Sequence, residues 1–573
     1  MPILTKHWQV APPLSKEADQ ELSSYSPILR QILYNRGYKT HQSALDYLEA
    51  RPPQGTQASA MLGVLPAVDR IVSAIGNHEP IAIYGDYDAD GVTATALLTQ
   101  VLRSLGAEVL GYIPNRFDEG YGLNFEALDA LHSSGIRLVI TVDCGIRSPR
   151  EAEHAQELGL DLIITDHHQP GPELPSALAI INPKQDGDDY PDKNLAGVGL
   201  AYKLAWALFE KIQPPDRGVG LVSPAMQYLD LVALGTVTDL APLVDENRSL
   251  VRSGLEYIRR PSRQGLMSLI SIARLAPGQI EAEHISFILG PRLNAAGRLD
   301  SAQAALKLLL TQDVAEAAHL AQVLDNQNRE RQQITRDIQA HAEQTVLSED
   351  PDALLLFAVH EEYNSGVVGL AAARLQEMYY RPAVVACKGS EFTRGSCRSI
   401  PEFHITQALD ECADILVRHG GHAAAAGFTV RNEHLEELII RLKEIAQREL
   451  AAEDLRPTLR ADAEIPLSEL RPELLIDLSR LQPTGHKNPQ AQFVSRGVKA
   501  LRSRAVGQDD AHLKLTVSDG RITYDGIAFR QGYWQGQIPP RIDLLYVFET
   551  NEYNGRISLQ LNVRDLKPAE KPS

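Results

Sequence analysis

From Ile81 to Ile181, short apolar runs alternate with stretches of helical spacing. The runs are Ile81–Tyr84, Val109–Ile113, Leu138–Val142 and Leu162–Thr165, with Ala179–Ile181 as a candidate fifth. Between them, Val92–Leu105 and Phe125–Leu131 read as helices, and another helical stretch precedes Leu162. This order predicts a parallel, doubly wound α/β sheet. Ligands of such sheets bind beyond the carboxyl ends of the strands. Three of the runs place Asp or His directly after that end, so those side chains are expected to converge on one edge.

The first run leads into Tyr84-Gly-Asp-Tyr-Asp-Ala-Asp-Gly91. Alternate residues of an extended turn point the same way, so two of Asp86, Asp88 and Asp90 can reach one ion. A helix N-cap with acidic residues at its positive end is the simpler explanation of a single Asp. Three in five residues repel one another unless a cation sits among them, which points to a metal. Asp143 lies in TVDCG, and alone reads as a turn or cap residue. His167-His168 follow Asp166 at a strand end, where both rings can turn toward one cleft. Asp239, in LGTVTDLAP, alone reads as a helix-end residue. Together these residues form a mixed oxygen and nitrogen set without thiolate, which favours Mn²⁺ or Mg²⁺ over structural zinc. The set exceeds the needs of one ion. Two ions ~3.5–4 Å apart, sharing a bridging Asp, form the usual clamp for hydrolysing phosphate esters.

Phosphate-binding candidates lie elsewhere. Arg116 follows a strand, and Arg292 and Arg298 bracket Asn294-Ala-Ala-Gly297. RGSCRS, with Arg394, Ser396, Arg398 and Ser399, reads as a loop offering backbone N–H, hydroxyl and guanidinium donors. Gly420-Gly421-His422 puts a histidine on a backbone able to approach a substrate, or simply in a turn.

The rest of the chain sets the frame. At 573 residues it is long enough for about three or four domains. The first 75 residues read as helical and polar, and 195–310 as largely helical. Asp313–Val346 contains no Pro or Gly and reads either as one long helix joining two domains or as an ordinary helical pair. A second α/β segment starts near Ala353. From Arg460 the runs HLKLTV, RITYDGIAF, IDLLYVF and RISLQLNV alternate as strands and predict a small barrel or sandwich. The net charge of −18 argues against a nucleic-acid partner on its face, but clefts act locally. From Leu455 onward 17 Lys and Arg outnumber 14 Asp and Glu. No apolar run approaches ~18 residues, so no membrane helix is expected. MPILTKHWQV lacks the features of a secretory signal, and the four cysteines form no CxxC pair. A reducing cytoplasm is the expected location.

Asp166-His167-His168, with GDYDADG, TVDCG and LGTVTDLAPL, resembles the DHH phosphoesterases. PRLNAAGRLD follows the same pattern. GVVGLAAARL, GSCRSI and GGHAAAAGF resemble the DHH-associated domain, and PTGHKNPQAQF with HLKL a terminal OB-fold. The order and length are similar to the single-strand-specific 5′→3′ exonuclease branch of that family. The resemblance implies a parallel-sheet DHH domain (76–310) after an N-terminal helical segment (1–75). A connecting helix (311–346), a smaller α/β DHH-associated domain (347–454) and a β-barrel OB-fold (455–573) follow. It further implies metal ligation by Asp88, Asp90, Asp143, His167, His168 and Asp239, with Asp143 as the bridge. Asp86 belongs to the same motif, as a ligand or behind one. Arg116, Ser396 and Arg398 match positions that hold a 5′-terminal phosphate, and Arg298 and His422 positions that face the scissile region or the strand. Two divalent ions, Mn²⁺ or Mg²⁺, are the implied cofactors. Single-stranded DNA is the implied substrate, within recombination and repair, with a helicase and single-strand-binding protein as partners and a monomer as the working form. Relatives acting on oligoribonucleotides or cyclic dinucleotides resemble the first two domains but usually lack the OB-fold. Non-catalytic scaffold relatives have lost metal ligands. Two positions differ from many relatives: Tyr363-Asn364 stand where Trp-His is common, and Cys397 lies inside the phosphate motif.

Overall fold

The computed structural model describes residues 5–115, 122–213, 223–299, 301–553 and 555–569. The chain forms two compact units, Val10–Asp325 with Arg460–Ser573, and Met1–Gln9 with Asn326–Leu459.

In the larger unit, β1 (Ile81–Gly85), β2 (Val109–Tyr112), β3 (Leu138–Val142), β4 (Asp161–Thr165) and β5 (Ala179–Ile181) form one sheet. Their order is β2-β1-β3-β4-β5, and every pairing is parallel. β1 and β3 are buried at every position, which is why they read as unbroken apolar runs. Successive residues serve opposite faces. Ile81, Ile83, Leu138 and Ile140 pack into one core, and Ala82, Tyr84, Val139 and Ile164 into another. The chain leaves β1 toward β2 and then returns across it to β3. The topological switch point therefore lies between β1 and β3, where an open α/β sheet offers its crevice.

Among the described residues of this unit, α1 (Ala89–Ser104), α2 (Gly197–Ile212), α3 (Leu229–Thr238) and α4 (Gly290–Leu299) reach that crevice or lead from it. α3 is apolar on every side and buried from Leu229 to Val237, so its C-terminus is held firmly in place. α5 spans Val314–Glu349, so the stretch without Pro and Gly is one long helix rather than a helical pair.

In the smaller unit, β6 (Leu356–His360), β7 (Ala383–Lys388), β8 (Phe392–Arg398), β9 (Leu416–His422) and β10 (Ala425–Arg431) form a sheet of order β9-β10-β8-β7-β6. α6 (Val368–Tyr379) connects β6 to β7, the parallel pair.

The C-terminal region contains β11 (Ala463–Glu464), β12 (Phe493–Val506), β13 (His512–Ser518), β14 (Thr523–Ala528), β15 (Arg541–Tyr553) and β16 (Arg556–Pro568). The order β12-β13-β14-β16-β15, with β15 pairing back onto β12, closes a five-stranded barrel. Closure removes the exposed edges of the sheet. β12 is absent from the strand runs read in the sequence. Its pairing shifts between Ser495 and Val498 and again between Ala500 and Arg502, and such bulges break the period of two.

The N-terminal helices divide between two cores. Ala58 to Ala74 pack with the parallel sheet. Leu29, Ile32, Leu33, Tyr47 and Leu48, from helices Pro27–Asn35 and His41–Glu49, share the core of the C-terminal barrel with Phe493, Leu544 and Tyr546. Arg248 ties this junction together. It is 1% exposed, and its guanidinium lies 4.1 Å from the Tyr47 ring centroid. Its N–H groups donate to the carbonyls of Tyr47, Arg480, Leu481, Gln482 and Pro483. No helix among the described residues is long and apolar enough to cross a membrane, and all four cysteines are free.

Candidate metal centre

The centre is built from strand and helix ends. Asp88 is the N-cap of α1, and its Oδ1 accepts from the backbone N–H groups of Asp90 (2.9 Å) and Gly91 (3.1 Å). The capping and metal readings of this motif are therefore compatible: one carboxylate oxygen caps the helix and the other stays available. Asp90, in the first turn, is buried. Its carboxylate accepts from Gly197 N (2.7 Å) and Val198 N (2.8 Å), the first residues of α2. It thus sits at the positive end of a second helix. Burial and the neighbouring Asp88 still push its pKa up to about 7.

Asp143 follows β3 with φ 62°, a left-handed backbone that a non-glycine residue rarely adopts. Such a conformation persists only where surrounding structure enforces it. Its N–H donates to Thr165 O (2.9 Å) at the end of β4. Gly197 presses from the other side: a Cβ there would lie 2.7 Å from the Asp143 Cβ. Burial and the carboxylates of Asp90, Asp88, Asp86 and Asp239 push Asp143 well above the usual range.

His167 Nε2 stands 3.1 Å from Asp143 Oδ1, 3.8 Å from Asp239 Oδ2 and 3.9 Å from Asp90 Oδ2. Burial, then His168, lowers the His167 pKa to about 3. The ring is therefore neutral, as a metal ligand must be. His168 Nδ1 lies 2.8 Å from Asp166 Oδ1. A carboxylate on one imidazole nitrogen orients the other as a donor to metal. The sequence pattern alone gives Asp166 no role of its own. It also accepts from His168 N (3.0 Å) and Ile146 N (2.9 Å), and these bonds outweigh burial to hold it below the usual range. Asp239 caps the C-terminus of α3, with its N–H bonded to Gly235 O (2.9 Å). Burial, then Asp90 and Asp88, push it up to about 9.

Three groups have ligand atoms within 4.8 Å of one another: Asp143, His167 and His168; Asp90, His167 and Asp239; Asp86, Asp88 and Asp143. Asp143 and His167 each occur in two of them. Asp143 Oδ1 and His167 Nε2 are buried without a hydrogen bond among the described residues. Mutually repelling carboxylates raised in pKa, facing neutral imidazoles and two unsatisfied ligand atoms, fit divalent cations that take oxygen and nitrogen ligands. The spread of these atoms suits two ions.

Beside this centre lies a cleft of ≈ 250 Å³, lined by Asp86, Tyr87, Asp88, His168, Asn294, Gly297 and Arg298. α4 is fixed against the acidic loop. Asn294 Oδ1 accepts from Ala89 N (2.7 Å), and a Cβ at Gly297 would lie 2.5 Å from Tyr87 O. Arg298 is thus brought to the cleft. Arg116 lies outside the described residues.

Ser396, Arg398 and His422 belong to the smaller unit. The RGSCRS segment is not a loop. It lies on β8, which pairs with both β7 and β10, so its backbone groups serve the sheet rather than a ligand. What it can offer is side chains on one face. Ser396 and Arg398 share that face, where a Cβ at Gly369 of α6 would come within 2.9 Å of Ser396 Oγ and 3.2 Å of Arg398 Nη2. Cys397 points the other way, into the core beside Val384. Gly420-Gly421-His422 likewise ends β9 and is not a turn. His422 is exposed there. Tyr363 is buried, with its hydroxyl 2.7 Å from His341 Nδ1.

Comparison with known proteins agrees with this architecture. Residues 80–236 match the DHH family, N-terminal domain, residues 352–448 the DHHA1 domain, and residues 461–565 the RecJ OB domain. The chain is 40% identical over 549 residues to the single-stranded-DNA-specific exonuclease RecJ of Bacillus subtilis, covering 95% of this chain and 68% of that one. It is 35% identical over 563 residues to the Escherichia coli protein of the same name, covering 95% and 96%. The crystal structure of RecJ in complex with Mn²⁺ from Thermus thermophilus matches with a TM-score of 0.84 and 30% identity, covering 99% of this chain and 80% of that one. The Mg²⁺ complex of that protein matches with a TM-score of 0.78 and 28% identity, covering 99% and 79%. With all three domains present in order and identity sustained from end to end, the chain belongs to the RecJ family.

Proposed function

We propose that this chain is a metal-dependent exonuclease that degrades single-stranded DNA from the 5′ end to 5′-mononucleotides. The observation that carries the reading is the convergence of Asp90, Asp143, His167, His168 and Asp239, with donor atoms in overlapping groups, in a chain whose relatives are named single-stranded-DNA-specific exonucleases.

In this reading Asp86, Asp88, Asp90, Asp143, His167, His168 and Asp239 hold two divalent ions, Mn²⁺ or Mg²⁺. When bound, the ions supply Lewis-acid polarisation of the phosphodiester and of the attacking water. The chain itself does the rest. Asp166 orients the His168 imidazole through its Nδ1. The α2 N-terminus aims Asp90. Arg298, lining the cleft, complements the charge of the phosphodiester. Arg116, Ser396 and Arg398 serve the 5′-terminal phosphate with a hydroxyl and guanidinium groups, and His422 faces the strand. Residues 76–310 perform the chemistry, 347–454 read the strand end, and 455–573 guide the strand through base stacking and phosphate contacts. The enzyme acts as a cytoplasmic monomer in recombination and repair, beside a helicase and single-strand-binding protein.

The test follows a 3′-labelled single strand carrying a 5′-phosphate, with Mn²⁺, with Mg²⁺ and with chelator. Blunt duplex and a short RNA run in parallel. Progressive shortening from the 5′ end that needs metal and spares duplex is the expected result. Cleavage confined to short RNA, or binding without cleavage, contradicts the proposal.

A further inference from the structure

The strand ladder ends at Thr165, so the carbonyls of His167 and His168 have no strand partner. Two side chains from one turn supply the missing donors. Asn182 Nδ2 donates to His168 O (2.9 Å), and Lys184 Nζ donates to His167 O (2.5 Å). The turn follows β5, the neighbour of β4, and is fixed by its own bonds. Asn182 Oδ1 accepts from Lys184 N (2.8 Å), and Gln185 N donates to Asn182 O (3.1 Å). Asn182 is fully buried. Asp166 N completes the junction by donating to Ile181 O (3.2 Å).

Nothing in the reaction requires a lysine stem to turn inward at this place. A lysine side chain left in water keeps its rotamer freedom. Here it is partly buried and its ammonium is spent on a backbone carbonyl, within electrostatic reach of Asp166 and Asp239. The His167-His168 peptide is thus gripped through both carbonyls, while Asp166 holds the His168 ring.

We propose that Asn182 and Lys184 are positioning residues that set the affinity of the metal centre by clamping the backbone of His167 and His168. The proposal rests on the metal reading given above. Groups that orient metal ligands typically change metal affinity by ~10–100-fold when removed. The clamp acts on the ligands' geometry and does not itself touch an ion. A purely electrostatic lysine has the opposite sign: its removal from an acidic site tightens cation binding.

The experiment titrates the full chain with Mn²⁺ and reads the free ion by electron paramagnetic resonance, beside hydrolysis at each Mn²⁺ concentration. Lys184→Gln is expected to weaken Mn²⁺ binding by ~10–100-fold and to shift the Mn²⁺ requirement of hydrolysis by the same factor. Lys184→Arg, which can still donate to the carbonyl, restores most of the loss, and Asn182→Ser behaves as a milder lesion. Thermal melts of each variant verify folding, and if Lys184→Gln is unfolded the Lys184→Arg and Asn182→Ser pair carries the test. Unchanged or tighter Mn²⁺ binding in Lys184→Gln overturns the clamp while leaving the metal centre intact. If His167→Ala itself leaves Mn²⁺ binding unchanged, the metal reading falls, and the clamp with it.

Discussion

Asp143 Oδ1 and His167 Nε2 lie 3.1 Å apart, both buried and neither hydrogen-bonded among the described residues. A divalent cation beside them would take both as ligands. Asp143→Ala and His167→Ala are therefore each expected to reduce hydrolysis of single-stranded DNA by about 10³-fold or more, since metal stabilisation of the transition state is worth several kcal/mol. DNA binding by the same variants, followed by fluorescence anisotropy with a labelled oligonucleotide, should change little. Cleavage at the wild-type rate removes the assignment.

Gly197 touches two members of the centre at once. Its N–H donates to Asp90, and the space where a Cβ would sit is filled by Asp143. Gly197→Ala should displace Asp143 or the start of α2, at a cost of about 1–3 kcal/mol. The expected signature is a lowered melting temperature together with weaker Mn²⁺ binding. A melting shift without any change in Mn²⁺ affinity would show that Asp143 accommodates the methyl group.

The raised carboxyl groups give the metal-free protein a defined pH dependence. Asp90 is pushed up to about 7 and Asp239 to about 9, against about 3.9 for an unfolded Asp. Across that interval the folded state binds more protons than the unfolded state, so stability is greatest near the lower limit and is lost as pH rises toward 9. Thermal melts in chelator from pH 5 to pH 9 should record the fall, and Asp239→Asn should flatten its upper part. Mn²⁺ replaces the protons, so the stabilisation it confers should grow with pH. A slope indifferent to both Asp239→Asn and Mn²⁺ contradicts the account.

Arg398 and Ser396 make a narrower claim. If they hold the 5′-terminal phosphate, Arg398→Ala should lose the preference for 5′-phosphorylated over 5′-hydroxyl strands. Hydrogen bonds to charged groups are worth ~1.5–3 kcal/mol, or about 10–100-fold in that ratio. The measurement is kcat/KM on the two strands. Equal losses on both would place Arg398 outside the recognition of the end.

The centre was legible because its residues follow strand ends. Asp86, Asp143 and His167 come directly or nearly directly after β1, β3 and β4, and parallel pairing alone brings them to one edge. Asp239 joins them only through the packing of α3, which no local pattern announces. Asn182 and Lys184 obey the same strand-end rule after β5, but a three-residue strand gives a faint signal. RGSCRS misled for a different reason. Its small and polar residues have turn-like composition, yet alternate side chains meet a core and a polar face, which is the pattern of a strand. The partnership of the N-terminal helices with the barrel could not be read from either segment, because residues as distant in sequence as Tyr47 and Asn488 meet there, 441 positions apart.

That partnership has a consequence for how the chain is made. Leu29, Ile32 and Tyr47 leave the ribosome well before the strands that cover them and the carbonyls of 480–483 that receive Arg248. These helices stay exposed until that later segment has been made. A transcript cut short before β12 would therefore yield a polypeptide whose sheet and acidic edge could assemble but whose helices Pro27–Asn35 and His41–Glu49 could not be covered. Such a product carries a sticky apolar flag that chaperones and proteases can find.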